Sequence, residues 1–395
     1  MTVKLRAKVG AKMGRLIGLV VVALLAFVGW RLWVVLDKTG SLRTLRFTEG
    51  VPCRPVAGAI GAEDVAIDHA TGLVYVSALD RHRWITDKTV RGLVGVFSLT
   101  RGDSTVTDLT MAPAAGAPEK FAPHGLSLYV GADGKKTLAV INHADGEAVE
   151  IFDVVDPAPT TPNVAPTLVH RRTVKDPLFR NLNDVALVGP DAFYATNDHY
   201  YTPGLMRQIE DYLMLAKIFA VYFDGAKAMV AAKGLTYANG IAVSQDGKRV
   251  FVAETTRNVV RTYDRNAQTG DLTLAPAPWG KFDVGTGADN IDVAADGSLF
   301  VGAHPKLFAL LKHFKDPSKL SPSEAVRLTP GEKGWTRKTV FLDSGKRISG
   351  MSVAARDGSN LVLGSILGKD VLVCPYTEGE FKVDIDLNSP TPDTP

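Results

Sequence analysis

Apolar positions in this chain follow two regimes. Over residues 16–36 the run LIGLVVVALLAFVGWRLWVVL is apolar on every side and broken only by Arg31. From about residue 60 onward, apolar and polar positions alternate in short runs separated by Asp-Gly or Gly-Pro turns, the period-2 signature of half-buried strands. The first regime predicts one helix, because twenty-one residues rise about 30 Å and so match the hydrocarbon core of a bilayer. The second predicts antiparallel sheet.

The strand regime repeats six times. EDVAID at Glu63 returns as LVYVSALD, PHGLSL at Pro123 as KTLAVINHAD, and NDVALV at Asn183 as FYATNDH. NGIAVS at Asn239 pairs with RVFVAE, DNIDVA at Asp289 with LFVGAH, and SGMSVA at Ser349 with LVLGSI. The motif positions Asp64, His124, Asp184, Asn239, Asn290 and Gly350 stand about fifty to sixty residues apart, near the repeat length of large propeller blades. Six four-stranded blades around a central channel close such a pattern. The expected fold is therefore all-β: a six-bladed β-propeller over residues 51–395. It is preceded by a basic tail (1–15), the apolar segment (16–36), and a linker with a closing strand (37–50), for which LRTLRF is the candidate.

Two segments break the rhythm. Residues 200–220 contain LMRQIEDYLMLAKIFA, whose Leu205, Ile209, Leu213 and Leu215 mark an amphipathic helix. Residues 306–314 hold a second, apolar and basic helix candidate ahead of a Pro/Ser-rich loop. Insertions between blades lie on one face and often cover a site; solvent-facing decoration or membrane contact through Leu307, Phe308, Leu310, Leu311 and Phe314 are the alternatives for the second.

Composition changes the picture little. With 46% hydrophobic and 22% charged residues among 395, the chain has an ordinary globular core. Charge placement is more informative. The net charge is +3, yet residues 1–44 carry eight Lys or Arg against one acid, leaving 37 basic and 41 acidic residues in the remainder. The globular part therefore has no electrostatic footprint for nucleic acid. Lys4, Arg6, Lys8, Lys12 and Arg15 before the apolar run place the N-terminus in the cytoplasm and the propeller on the opposite side of the membrane, with Trp30 and Trp33 as interfacial anchors. A cleaved signal peptide is the competing expectation, although no small-x-small site follows the apolar core. Cys53 and Cys374 sit at opposite ends of the expected ring. In a non-cytosolic compartment this suggests one disulfide, against two unrelated buried thiols.

The chemistry lies in the motifs. First strands of all blades meet at a propeller's channel, so Glu63, Asp64, His124, Asn183, Asp184, Asn239, Asp289 and Asn290 converge. Four carboxylates together repel unless a cation compensates them, and carboxylate mixed with amide oxygens forms a hard shell suited to calcium rather than zinc or copper. Asp and Asn as strand-start turn caps are the bland alternative. His124 occupies the slot that holds Asp64 and Asp184 in neighbouring blades, and His143 ends the next strand; two imidazoles beside a divalent cation are placed to activate water. His199 and His304 end equivalent strands and are further pocket candidates, whereas His69, His82, His170 and His313 fall in turn or surface contexts. No G-x-S-x-G, H-E-x-x-H, C-x-x-C or P-loop occurs.

EDVAID, PHGLSL, VINHAD, NDVALVGPDAFYATNDHYY, YANGIAVSQDGKRVFVAE, DNIDV and VGAHP, in this order, closely resemble the serum paraoxonase/arylesterase family over roughly residues 53–374. The resemblance implies two calcium ions in the channel. One would be held by Glu63, Asn183, Asn239, Asp289 and Asn290, and a deeper one by Asp64, Asp184 and the carbonyl of Leu126. It also implies a disulfide between Cys53 and Cys374, a His124–His143 dyad with Asp289 as the competing base or nucleophile, and hydrolysis of lactones and aryl esters. Departures fall on the substrate walls: Asp80-Arg81-His82 stands where several members have an aromatic residue, Ala303 replaces a free cysteine, and the segment after Pro305 is rewritten. Arg81 at the mouth would favour a substrate with a carboxylate, or it would point to solvent. The expected protein is a membrane-anchored, calcium-dependent lactone and aryl ester hydrolase. A gluconolactonase-like or strictosidine-synthase-like enzyme, or a non-catalytic ligand-binding propeller around structural calcium, stands as the alternative.

Overall fold

Each of the six motifs opens a separate antiparallel sheet. In the computed structural model, which describes residues 2–47, 51–112, 115–158, 160–161 and 164–377 with backbone alone for 2–12 and 14, the inner strands are Ala62–Asp68, Pro123–Val130, Leu182–Leu187, Ala238–Val243, Gly287–Val293 and Met351–Asp357. Each touches the next around the channel, and the sixth touches the first. From each inner strand the sheet runs outward in chain order. The last blade takes its outer strand from the start of the chain: Arg54–Val56 pairs antiparallel with Val371–Pro375, Arg54 opposite Val373. Cys53 and Cys374 are joined by a disulfide at that seam.

Apolar faces of neighbouring blades interdigitate all the way round. Tyr75, Phe121, Leu138 and Phe152 fill the joint between blades one and two, and Val65, Val76, Val353 and Val362 the joint between six and one. Each such fully buried side chain contributes roughly 1.5–3 kcal/mol relative to exposure. Strands such as Leu73–Ala78, Lys136–Asn142 and Phe193–Asn197 are buried along their whole length, covered on both faces rather than half-exposed as alternation alone would suggest.

One local irregularity recurs in every blade. Pairing between first and second strands slips at the motif itself, between Ala62 and Asp64, Pro123 and Leu126, Leu182 and Val185, Ala238 and Ile241, Ala288 and Ile291, and Met351 and Val353. A bulge frees residues from the ladder and re-aims their side chains. Here it lets consecutive residues such as Glu63-Asp64 and Asn183-Asp184 both serve the channel, which a regular strand would send to opposite faces. Gly125 belongs to the same device, because a Cβ there would lie 2.3 Å from Asp184 Oδ1.

Among the described residues there are four α-helices: α1 (Thr2–Lys38), α2 (Arg81–Thr86), α3 (Leu205–Leu213) and α4 (Leu307–Lys315). Residues 15–38 of α1 are long and apolar enough to cross a membrane and lie outside the protein core. The basic tail continues the same helix rather than forming a separate segment. From the end of α1 the chain is clamped to blades four and five. Thr39 O accepts from Leu307 N at 3.0 Å, Lys38 pairs with Asp283 at 2.8 Å, and the Arg43 guanidinium forks onto Glu324 at 2.5 and 2.8 Å. Gly40, at φ +68°, passes so close that a Cβ would fall 2.0 Å from Pro305 O.

Three sequence expectations need correction. Residues 42–47 of LRTLRF form no strand, because their contacts go to blade five, and Arg54–Val56 closes the ring instead. The first insertion's helix stops at Leu213 with Met214 in the left-handed region at φ 50°, since Ile218–Phe223 is needed as blade three's third strand. The short helix α2 was not expected; Asp80 caps it by accepting from Arg83 N at 3.1 Å.

Candidate active site and metal centre

The channel holds the expected side chains at two levels. On one side a cavity of about 600 Å³ is floored by Arg81, His124, Asn183, Asn239, Asp289 and His304. Its walls come from α3, α4 and the end of α1, including Val35, Tyr212, Phe308, Leu311 and Phe314. Both insertions therefore cover the site. On the other side Asp64, Asp184 and Leu126 line a smaller cavity of about 190 Å³. Glu63 and Asn290 lie between, almost wholly buried.

Hydrogen bonding orients this set with its oxygens unspent. Asn290 donates from Nδ2 to both Glu63 O (3.1 Å) and Glu63 Oε1 (2.8 Å). Because both partners are acceptors, the amide orientation is fixed and Oδ1 faces away. Asn239 likewise spends Nδ2 on Thr255 Oγ1 at 3.0 Å. Left without any partner are Glu63 Oε2, Asn183 Oδ1, Asn239 Oδ1 and Asn290 Oδ1. Orphaned buried acceptors are costly, and four on inner strands around one channel fit one cation with oxygen ligands. Among the described residues no group of three or more His, Cys, Asp or Glu side chains is arranged to hold an ion by itself, so any such centre depends on the amides.

Charge crowding points the same way. Burial first, then Asp289 and Asp184, push the Glu63 carboxyl up to about 8, against the opposing pull of Arg81. Burial raises Asp184 to about 8 as well, and Asp289 adds to it; burial and then the Asp184 and Glu63 charges raise Asp64. Asp64 and Asp184 also tie blades together: Asp64 Oδ2 accepts from Leu126 N at 2.9 Å and Asp184 Oδ2 from Ile241 N at 2.7 Å. Without a cation these carboxyls keep protons near neutrality.

A histidine chain enters from blade two. His143 Nε2 lies 3.1 Å from His124 Nδ1, and His143 Nδ1 lies 3.1 and 3.2 Å from the two oxygens of Glu147. With Glu147 ionised, Nδ1 of His143 carries the proton, its Nε2 accepts from His124 Nδ1–H, and the lone pair of His124 Nε2 faces the floor, 3.6 Å from Glu63 Oε1. Burial, then Arg81 and His143, hold His124 well below the usual imidazole range, so its ring is neutral. Asp289 is engaged differently, with Oδ2 at 2.6 Å from His304 Nε2.

Other candidates land as follows. His304 reaches the cavity floor. His199 sits behind it between Asp198 (2.7 Å) and Asp211 (2.9 Å); burial opposes its charge, but those two aspartates hold it up at about 9. Arg81 neither lies at the mouth nor meets solvent, being only 7% exposed. His313 is not a surface residue, since α4 buries it against His82 with ring centres 5.8 Å apart. Sequence reasoning missed Glu147, whose GEAVE context reads as a turn, and Val35 and Thr39, which the apolar-segment and linker assignments hide.

A sequence model of the arylesterase family matches residues 67–375. Human serum paraoxonase/arylesterase 1 is 31% identical over 338 residues, covering 84% of this chain and 91% of its own. Human serum paraoxonase/lactonase 3 is 28% identical over 363 residues, 90% of this chain and 98% of its own. Among solved structures, a luciferin-regenerating enzyme superposes with a TM-score of 0.50 at 13% identity, covering 84% of this chain and 96% of that one, a likeness of fold alone.

Proposed function

The chain belongs to the arylesterase family, and from that premise we propose that it is a calcium-dependent hydrolase of lactones and aryl esters. Family membership supports ester and lactone hydrolysis in general; calcium and the water-activating histidines are the finer part of the proposal. The observation that carries it is the group of unpartnered oxygens on Glu63, Asn183, Asn239 and Asn290, aligned beside Asp289 and the His124–His143 pair. Those five residues would hold one ion, and Asp64, Asp184 and the Leu126 carbonyl a second, deeper one. Bound there, calcium supplies a Lewis acid for the substrate carbonyl and a counter-charge for the tetrahedral oxyanion.

This chain's own groups do the rest. His124 Nε2 takes a proton from water over the floor, while Nδ1–H stays on His143 Nε2. Glu147 holds the His143 Nδ1 proton and so keeps the tautomer that leaves Nε2 of His124 free. Asp289, with one oxygen on His304, is less available as a base or nucleophile. The apolar upper wall excludes water from the acyl or aryl part of the substrate. Residues 15–38 of α1 would anchor the protein with its basic end in the cytoplasm and the propeller outside it, a placement that suits the Cys53–Cys374 disulfide.

The test is hydrolysis of an aliphatic lactone, an acyl-homoserine lactone and phenyl acetate by the full chain in detergent, before and after chelation and with calcium restored. Turnover should vanish with chelation, return with calcium, and fall roughly 10²–10⁴-fold in His124→Gln. Turnover that survives both treatments refutes the site. A folded, calcium-loaded protein inert toward every substrate points instead to a ligand-binding propeller.

A further inference from the structure

Of the two arginines fully buried among the described residues, Arg261 and Arg81, only the first has a carboxylate partner. Arg261 pairs with Glu254 at 2.5 and 2.9 Å, and Arg43 and Arg337 share Glu324, at 2.5 and 2.6 Å. Arg81, 7% exposed, forms no ion pair among the described residues. Its Nη1 and Nη2 donate only to backbone carbonyls, Gly61 O at 3.2 Å and Pro123 O at 3.3 Å. A guanidinium offers five N–H donors, and an unpaired buried charge is costly. This one lines the 600 Å³ cavity and is the only Lys or Arg side chain to do so among the described residues.

Its charge has no lasting counterpart in the floor. Glu63 and Asp289 attract it through space, but these belong to the set of four inner carboxylates that two calcium ions would neutralise. Asp198 and Asp211, across the cavity, already face His199, and Arg207 also reaches Asp198, at 3.6 Å. A fixed cation is thus left beside the reacting centre, under the apolar wall of Leu307 to Phe314. The carbonyls that hold Arg81 belong to the residues leading into Glu63 and His124, so its position is tied to the floor.

We propose that Arg81 is a carboxylate-binding subsite, and that the preferred substrate is a lactone or ester bearing a second, ionised carboxylate. The claim rests on the hydrolase reading for its substrate and on geometry for its ligand class. Fork-like guanidinium–carboxylate bonds are strong and directional, so the anion would orient the ring with its carbonyl toward the floor.

The experiment uses the full chain in detergent with calcium and a matched pair: a γ-lactone carrying a ring carboxylate, and its carboxamide. The ratio of kcat/KM between the two should favour the carboxylate and fall roughly 10–100-fold in Arg81→Gln, with Arg81→Lys intermediate and the change mainly in KM. Calorimetry with the ring-opened hydroxy-dicarboxylate gives a reading independent of turnover. Wild type should bind it more tightly than its monoamide, a comparison that needs no variant to fold. Hydrolysis of the carboxamide with no preference for the carboxylate and an unchanged ratio in Arg81→Gln overturns the subsite and leaves the hydrolase standing. Arg81-dependent binding of the dicarboxylate without hydrolysis of either lactone keeps the subsite and overturns the hydrolase. Equal binding of dicarboxylate and monoamide by wild type overturns the subsite outright.

Discussion

If calcium fills the floor as proposed, withdrawing it should make the protein's stability depend on pH in the direction opposite to ordinary acid denaturation. In the ion-free state the Glu63 carboxyl is raised from 4.5 to about 8. A group that binds its proton more tightly when folded stabilises the native state fully below the unfolded value and loses that contribution as pH rises through the folded one. The window is therefore about pH 4.5 to 8, and the shift corresponds to roughly 5 kcal/mol at 1.36 kcal/mol per unit, or on the order of 10 °C in Tm for a domain of this size. Glu324, which Arg43 and Arg337 hold down at about 2 despite burial, contributes constantly above pH 4.5 and loses its effect only as pH falls toward 2. His199, held up at about 9, adds a loss of the same sign as Glu63 between pH 6.5 and 9, so the difference made by calcium is the quantity to follow. The assay is thermal melting of the chelated and calcium-loaded protein from pH 5 to 8.5, with calorimetric affinity in buffers of different ionisation heat. Calcium should raise Tm most at pH 8, bind progressively more weakly below it, and release protons on binding. An affinity that is flat across this range with no proton release, or a calcium effect on Tm that is independent of pH, refutes the reasoning.

Two substitutions probe other links. Glu147→Gln keeps the acceptor for Leu182 N, now at 2.8 Å, but removes the charge behind His143; kcat should fall roughly 10–100-fold with little change in Tm, and an unchanged kcat would remove Glu147 from the proton chain. Gly40→Ala combines a left-handed φ of +68° with a Cβ 2.0 Å from Pro305 O, so it should cost about 1 kcal/mol for the backbone alone and displace the residue next to His304. Both Tm and kcat/KM should drop relative to Gly18→Ala, whose Cβ meets nothing within 4 Å; equal behaviour of the two variants would show that the clamp does not reach the site.

What the sequence disclosed was whatever repeats. The six motifs are visible because each blade makes the same demand, a bulged inner strand with polar side chains aimed at the channel, and superposing the copies brings Glu63, Asn183, Asp289 and the others together without coordinates. Features made once, by contacts distant in sequence, were hidden. Arg81 looked like a rim residue because charged side chains are exposed by default, and its burial depends on the carbonyls of Gly61 and Pro123. The Arg43–Glu324 pair spans 281 residues, so residues 37–50 read as a linker with a closing strand. LRTLRF has strand-like alternation, yet tertiary contacts rather than local pattern decide its path.

The seam at Arg54–Val56 and Val371–Pro375 brings the two ends of the propeller chain side by side, and Cys53–Cys374 welds them. Topologically the propeller is a loop without a privileged starting point. A circular permutant could be opened at an exposed outer turn, such as that after Arg265, with the old ends fused, and still present every channel side chain. Losing one blade has the opposite outcome. Glu63, His124, Asn183, Asn239 and Asp289 come from five different inner strands, so a ring lacking any one of those five blades lacks a member of the group. The site is a keystone, present only once the whole circle is laid.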